Sequence, residues 1–242
     1  MLNLANDYSG LDRHADALKL RQQTFELQKA NLGPKDTETL MTAHNLGSNY
    51  RSLGRYADAL RQDEETLALR RDTLGIDHPD TLTSLWSVAQ DLIKLHRGAE
   101  AVPILDECLN RAVGKRVHRN FADVADFRLR YFQEAQDAAG CRTTAELWEK
   151  QNRGDRASLY QAAVCRAVTA TVLRATDKAA GAVKRVSTEA DQALSWLRKA
   201  VVAGYNDVTK LQRDKEWDVL REREEFRNLL VELQAGQEKA KK

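Results

Sequence analysis

The sequence predicts an all-α fold: a right-handed stack of antiparallel helical hairpins, an α-solenoid, closed by a helical cap at its C-terminal end. Three observations carry this. Gly (12) and Pro (3) are scarce among 242 residues while charged residues reach 31%, which suits solvated helices and not a β-sandwich or a disordered chain. The chain resembles itself at a spacing of 42 residues. Within each copy, apolar residues recur at intervals of three and four, the period of one helical face.

The period is read from matched fragments. NLANDY at Asn3 returns as NLGSNY at Asn45, HADAL ending at Leu18 returns as YADAL ending at Leu60, and Leu32-Gly33 returns as Leu74-Gly75. A further step carries Asn45-Leu46-Gly47 to Ser87-Val88-Ala89 and Leu67 to Leu109, a degenerate third copy that keeps its small and large apolar positions. Each copy reads as two amphipathic helices. In the second, Leu40, Ala43, Leu46, Gly47, Tyr50 and Leu53 share one face, and Gly54 ends that helix. Tyr56, Ala59, Leu60, Thr66, Leu67 and Leu69 belong to the next. Gly47 and Ala59 are small where the two helices approach. Such a hairpin buries its apolar face only by stacking on further copies.

The order Asn-Leu-Ala-x-x-Tyr, Gly-x-Tyr-x-x-Ala, Leu-Gly-x-x-His-Pro-Asp-Thr-Leu resembles the 42-residue tetratricopeptide (TPR) repeats of kinesin light chains and many bacterial proteins. The resemblance covers about residues 1–112, as three hairpins. Met1 falls inside the first helix of its copy, so the chain reads as a fragment of something longer.

Residues 113–205 are expected to form further, less regular hairpins of the same solenoid, and residues 206–242 capping helices with a frayed tail. Arg119 to Ala138 reads as a helix ended by Gly140. Thr143 to Gln151 reads as a short helix opened by a capping box with Glu146. Asp155–Thr176 and Thr188–Tyr205 read as a helix pair with a stop at Gly204, joined by a mobile Asp177–Ser187 segment. Trp217–Leu233 supplies one or two final helices. The fragments AAGCRTTAELWEK, SLYQAAVCRAV, ALSWLRKAVVAGY and DVLREREEFRNLL resemble the C-terminal TPR regions of certain bacterial serine/threonine protein kinases. This implies an upstream kinase domain whose catalytic motifs are not in this sequence.

Chemistry is not legible. Gly-rich phosphate loops, H-E-x-x-H and G-x-S-x-G do not occur. His118-Arg119-Asn120 lacks the catalytic Asp of a kinase loop. The five histidines are never paired at helical spacing, so no zinc site is readable. The acidic run Asp63-Glu64-Glu65 reads as a solvated face. No catalytic, cofactor-binding or metal residue is assigned, no cofactor is expected, and the chain reads as non-enzymatic. Lys+Arg (38) and Asp+Glu (36) nearly cancel, too weak a field to suggest nucleic acid. The basic stretch Gly114–Arg119 reads as an inter-helix loop. No apolar run is long enough for a membrane span and no signal-peptide pattern opens the sequence. Cys108, Cys141 and Cys165 are odd in number and form no C-x-x-C, which fits reduced, buried thiols in a cytoplasmic protein.

His78-Pro79-Asp80 has the letters of the functional tripeptide of J-domain co-chaperones. The preceding linker supplies the control, with Asp36, Thr37 and Glu38 at the same three positions. Only a helix start tolerates that exchange. Asp36 can cap, Pro79 at the first helical position gives up a donor without a partner, and Asp80 and Glu38 face the positive end of the helix dipole.

The TPR resemblance further implies that the first helix of each pair lines a concave groove. Its lining would be Leu2, Asn3, Asn6, Ser9 and Gly10; then Met41, His44, Asn45, Ser48, Arg51 and Ser52; then Thr83, Trp86, Ser87, Gln90, Ile93 and Lys94. The partner-binding candidates are Asn3, Asn6, His44, Asn45, Ser48, Arg51, Trp86, Ser87, Gln90 and Lys94. None of the lining positions is acidic, although Asp and Glu make up 36 of the 242 residues. Arg51 and Lys94 could meet carboxylates, Asn3 and Asn45 a peptide backbone, and Trp86 an apolar side chain. The expected partner is a protein or peptide of acidic character, and neither nucleic acid nor membrane. The alternative is a structural scaffold that self-associates into a homo-oligomer.

Overall fold

The structure, a computed structural model, describes residues 10–11, 13–112, 121–151 and 154–240. Among these residues every regular element is helical: α1 (His14–Asn31), α2 (Thr37–Ser52), α3 (Tyr56–Leu74), α4 (Pro79–Lys94), α5 (Gly98–Ala112), α6 (Phe121–Glu134), α7 (Ala138–Lys150), α8 (Arg156–Thr176), α9 (Ala182–Val202), α10 (Val208–Arg213), a 3-10 turn (Lys215–Trp217) and α11 (Glu224–Ala240). The chain forms two compact units, residues 1–124 and 125–242, and the boundary falls within α6.

In the first unit each helix from α1 to α5 packs on the next, and α2 also touches α4. Two kinds of helix start alternate, and both are written in the sequence. Asp36 Oδ1 accepts from the Glu38 and Thr39 amides at 2.9 and 3.3 Å, filling the orphan donors of α2. One period later His78 Nδ1 accepts from the Asp80 amide at 3.2 Å, with Pro79 as the first residue of α4. His78-Pro79-Asp80 is thus a helix start. The second helices α1, α3 and α5 begin differently. Arg13, Arg55 and Arg97, 42 residues apart, each bond the acid three residues on, Asp16, Asp58 and Glu100. That acid sits in the first turn, where the helix dipole favours it.

Helix ends are less legible. Gly54 takes a left-handed φ of 71° after α2, and the Arg55 amide closes back on the Tyr50 carbonyl at 2.9 Å. The same closure follows α4, α6 and α9, as Arg97 N to Leu92 O, Asp137 N to Phe132 O and Tyr205 N to Ala200 O. Gly204 provides the left-handed residue after α9, but His96 (φ 59°) and Gln136 (φ 56°) provide it after α4 and α6. A non-glycine residue there costs roughly 1–2 kcal/mol, offset by the backbone bonds of the motif.

The second unit corrects several sequence expectations. Gln136, not Gly140, ends the helix that starts at Phe121. Gly140 lies inside α7, where a Cβ would stand 2.1 Å from the Phe132 ring, so the glycine serves close packing. α7 opens at Ala138, not Thr143, because Asp137 Oδ1 accepts from the Ala139 and Gly140 amides at 3.0 Å. The Thr143 hydroxyl expected to cap instead bonds the Gly140 carbonyl at 3.0 Å, as the Thr144 hydroxyl does at 2.8 Å, and both accept from Arg128. α9 begins six residues before Thr188, and an ion pair joins it to the end of α8. Arg185 Nε and Nη2 clamp both oxygens of Asp177 at 2.6 and 2.9 Å. The last helix extends past Leu233, since α11 continues to Ala240.

The core of this unit sits between α8 and α9. Ala163, Ala167 and Ala170 share a buried cluster with Ala190, Ala193 and Ala200, and Trp217, Leu220, Phe226 and Leu229 fill its far side. Small side chains let two long helices approach closely, so most of the bulk comes from the C-terminal segment. Across its edge, Arg166 bonds Glu149 through Nε and Nη2 at 2.7 and 2.8 Å and Glu189 through Nη1 at 2.9 Å. Arg142 Nε completes Glu189 at 2.6 Å and the Trp196 indole N–H completes Glu149 at 2.8 Å. Two arginines and two glutamates thus balance while joining three helices.

Candidate functional site

The exposed faces of α2 and α4 lie side by side in the first unit. On α2, Met41 and Ser48 are exposed and His44, Asn45 and Arg51 half-buried; on α4, Trp86 and Gln90 are half-buried and Lys94 is exposed. Spacings of three and four keep each set on one stripe. Asn3 and Asn6 lie outside the described residues, as do Leu2, Ser9 and the basic stretch Gly114–Arg119.

Two expected lining residues behave otherwise. Ser87 is 3% exposed, so it belongs to the interior beneath the face. Its carbonyl accepts from Arg51 Nη1 at 3.4 Å. Arg51, expected to meet a partner's carboxylate, is already committed to internal ones. Its Nη1 donates to Asp63 Oδ2 at 2.7 Å and to Asp91 Oδ1 at 2.8 Å. Burial works against the guanidinium charge, but the charges and hydrogen bonds of these two aspartates outweigh it and raise the Arg51 pKa. Among the described lining positions, Lys94 is left as the solvent-facing cation. His44 adds none: burial first, then Arg70 and Arg51, push its pKa down to about 4.

Asp63 and Asp91 were missed by the sequence reading, which placed Asp63 on a solvated face. Both are 0% exposed. The signal was present: Asp63 falls at helical spacing with the buried Ala59, Thr66, Leu67 and Arg70 of α3, and Asp91 with Ser84, Ser87 and Val88 of α4. A charge inside an apolar stripe requires a partner, and Arg51 is that partner. Gly47 makes room, since a Cβ there would stand 2.2 Å from Asp63 Oδ1.

Elsewhere the described residues offer little chemistry. A cleft of about 610 Å³ runs between α9 and α11 past Val201, Tyr205, Glu232 and Leu233, without a converging set of ionisable groups. No group of three His, Cys, Asp or Glu side chains converges among the described residues. All three thiols are free and buried. Burial pushes Cys108 and Cys141 up to about 12 and raises Cys165 as well, so they are poor nucleophiles. No helix among the described residues is long and apolar enough to cross a membrane.

Comparison with known proteins agrees with this geometry. Residues 1–72 and 38–112 match the family model of the tetratricopeptide repeat. No curated protein matches the chain. Among solved structures, nearly identical TPR-like repeats of a Podosopora anserina protein, described under kinesin light chain, share the fold. They are 19% identical, cover 88% of this chain and 95% of that one, and give a TM-score of 0.59. A point variant of the same repeats is 19% identical, covers 81% and 94%, and gives 0.58. A TPR repeat protein of Bacteroides fragilis is 14% identical over 96% of each chain, with a TM-score of 0.40.

Proposed function

We propose that the chain is a non-enzymatic protein-interaction module that holds an extended peptide segment across α2 and α4. Tetratricopeptide repeats are generally protein–protein interaction modules. The observation that carries this reading is the adjacency of two helices that both keep amide, hydroxyl, ammonium and indole groups at the surface. Asn45 and Gln90 can bond a peptide backbone, Ser48 can add a hydroxyl contact, and Trp86 can receive an apolar side chain. Lys94 favours a carboxylate near the α4 end of the segment. With Arg51 neutralised from within, acidic character is needed in one part of the partner only.

The test uses peptides of about 12 residues, enough to lie extended across two helices, selected from a random display library on the whole chain. Asn45→Ala is expected to weaken the selected peptides about tenfold by leaving backbone groups unpaired. Lys94→Glu should weaken acidic peptides selectively, with a salt dependence that the parent chain shows and the variant lacks. If neither substitution changes affinity in a folded chain, the face does not bind.

Two finer parts of the reading rest on the sequence. The C-terminal fragments support a place downstream of a bacterial serine/threonine kinase domain, and the three reduced thiols support a cytoplasmic location. The residues encoded before Met1 decide the first: kinase motifs there make this a docking or regulatory region, and more 42-residue copies make it a scaffold. Self-association is the second reading, favoured by Leu11, Leu27 and Leu32, which are 70%, 52% and 53% exposed. Light scattering is expected to give a monomer mass if the groove reading alone is right and a dimer mass, abolished by Leu27→Lys, if these leucines pair chains.

A further inference from the structure

The seam between α3 and α4 buries two carboxylates that share a single hydrogen-bond donor. One nitrogen, Arg51 Nη1, serves both Asp63 and Asp91. The other oxygens, Asp63 Oδ1 and Asp91 Oδ2, are buried and receive no donor from the described residues. The two carboxyls stand close enough to hydrogen-bond each other once one is protonated. Two carboxylates so close do not both ionise readily away from water.

The neighbouring helices supply no second donor to either carboxylate among the described residues. From α2 comes His44, held neutral. From α3 comes Arg70, which acts on Asp63 but donates to the Asp80 carbonyl at 3.0 Å and the Ser84 hydroxyl at 2.8 Å. α5 carries Glu107 and Arg111, paired with each other, Glu100, paired with Arg97, and Asp106. The 42-residue register sharpens the contrast. One period earlier, the positions of Asp63 and Asp91 hold Arg21 and Asn49, a cation hydrogen-bonded to a neutral amide. One period later, the position of Asp63 holds Leu105.

We propose that Asp63 and Asp91 share one proton in the folded chain and that losing it weakens the seam between the second and third hairpins, making that seam a proton-sensitive joint beneath the groove. Burial, opposed by Arg51 and reinforced by the Asp63 charge, pushes Asp91 up to about 7, and burial raises Asp63. Unfolded, both titrate at about 4. The stabilisation from the extra proton is therefore complete below about pH 4 and is lost as the pH rises through about 7. His44 runs the other way. Its pKa drops on folding from 6.5 to about 4, so its contribution is present above 6.5 and lost as the pH falls toward 4. The two oppose each other over the same range, and the intact chain conceals both.

The joint is exposed by removing one of the two. In His44→Gln, hydrogen-exchange protection of the α3 and α4 amides is expected to fall about tenfold per pH unit between pH 5 and 7, the slope of one released proton, and then level off. Adding Asp91→Asn, the residue already present one period earlier at Asn49, should abolish that slope. A carboxyl carbon-13 titration of the unmutated chain by NMR should show an aspartate with a midpoint near 7. A flat His44→Gln profile, a slope that survives Asp91→Asn, or aspartates that all titrate below pH 5 would each overturn the proposal. The NMR titration decides alone if either variant fails to fold.

Discussion

Arg51→Met is expected to destabilise the first unit by about 3–5 kcal/mol at pH 8, the cost of leaving a buried charge without its partner. The methionine keeps most of the volume and loses the only donor that reaches both Asp63 and Asp91 from α2. Because the two acids can neutralise themselves by taking up protons, the loss should shrink on acidification to pH 5. Urea unfolding followed through protection of the α3 and α4 amides measures both. A loss below about 1 kcal/mol, or one independent of pH, would show that the aspartates are compensated by something other than this guanidinium. The double variant Arg51→Met/Asp63→Leu is expected to recover part of the stability, since a hydrophobic replacement of a buried pair is often tolerated. Leu105 shows that this position accepts a leucine one period later.

Trp217→Ala should cost about 3–5 kcal/mol in the second unit, as large-to-small changes of buried aromatics do. Trp217 is fully buried on a 3-10 turn. Its ring centroid lies 5.7 Å from that of Tyr160 on α8 and 6.1 Å from that of Phe226 on α11, and Tyr160 stacks on Tyr205 at 4.3 Å. The alanine stripe between α8 and α9 supplies little apolar area of its own, so the indole closes the core from below. Loss of near-ultraviolet dichroism together with faster exchange in α8 and α9 is the expected readout. Unchanged protection in both helices would mean that the alanine packing suffices alone.

The period, the hairpins of the first unit and its helix starts were legible because they depend on local chemistry repeated in register. Asp36, and His78 followed by Pro79, cap whatever the rest of the chain does. Helix stops at His96 and Gln136 were not legible, because a left-handed residue other than glycine is chosen by the closing backbone bonds and leaves no mark in the sequence. Gly140 misled for the converse reason: the Phe132 ring demands a glycine inside a helix. On the candidate face, Asn45, Ser48, Gln90 and Lys94 keep exposed or half-buried positions on the predicted stripe, whereas Ser87 and Arg51 turn inward. Only the positions of Asp63 and Asp91 across the seam explain that turn, and a stripe read one helix at a time cannot supply them.

The distribution of buried charge over the repeats bears on how the array can change in length. The second hairpin brings Arg51, Arg70 and Asp63 to the seams it borders, two cations against one anion. Excising residues 37–78 would remove all three and bring Arg21 opposite Asp91, a cation against an anion. Inserting a duplicate of the same segment would add a net positive charge, carried by a second Arg70 whose donors end on a carbonyl and a hydroxyl and not on a carboxylate. By buried charge alone, unequal recombination between copies would shorten this array by a whole hairpin more readily than it would lengthen it, provided the exchange keeps the 42-residue phase.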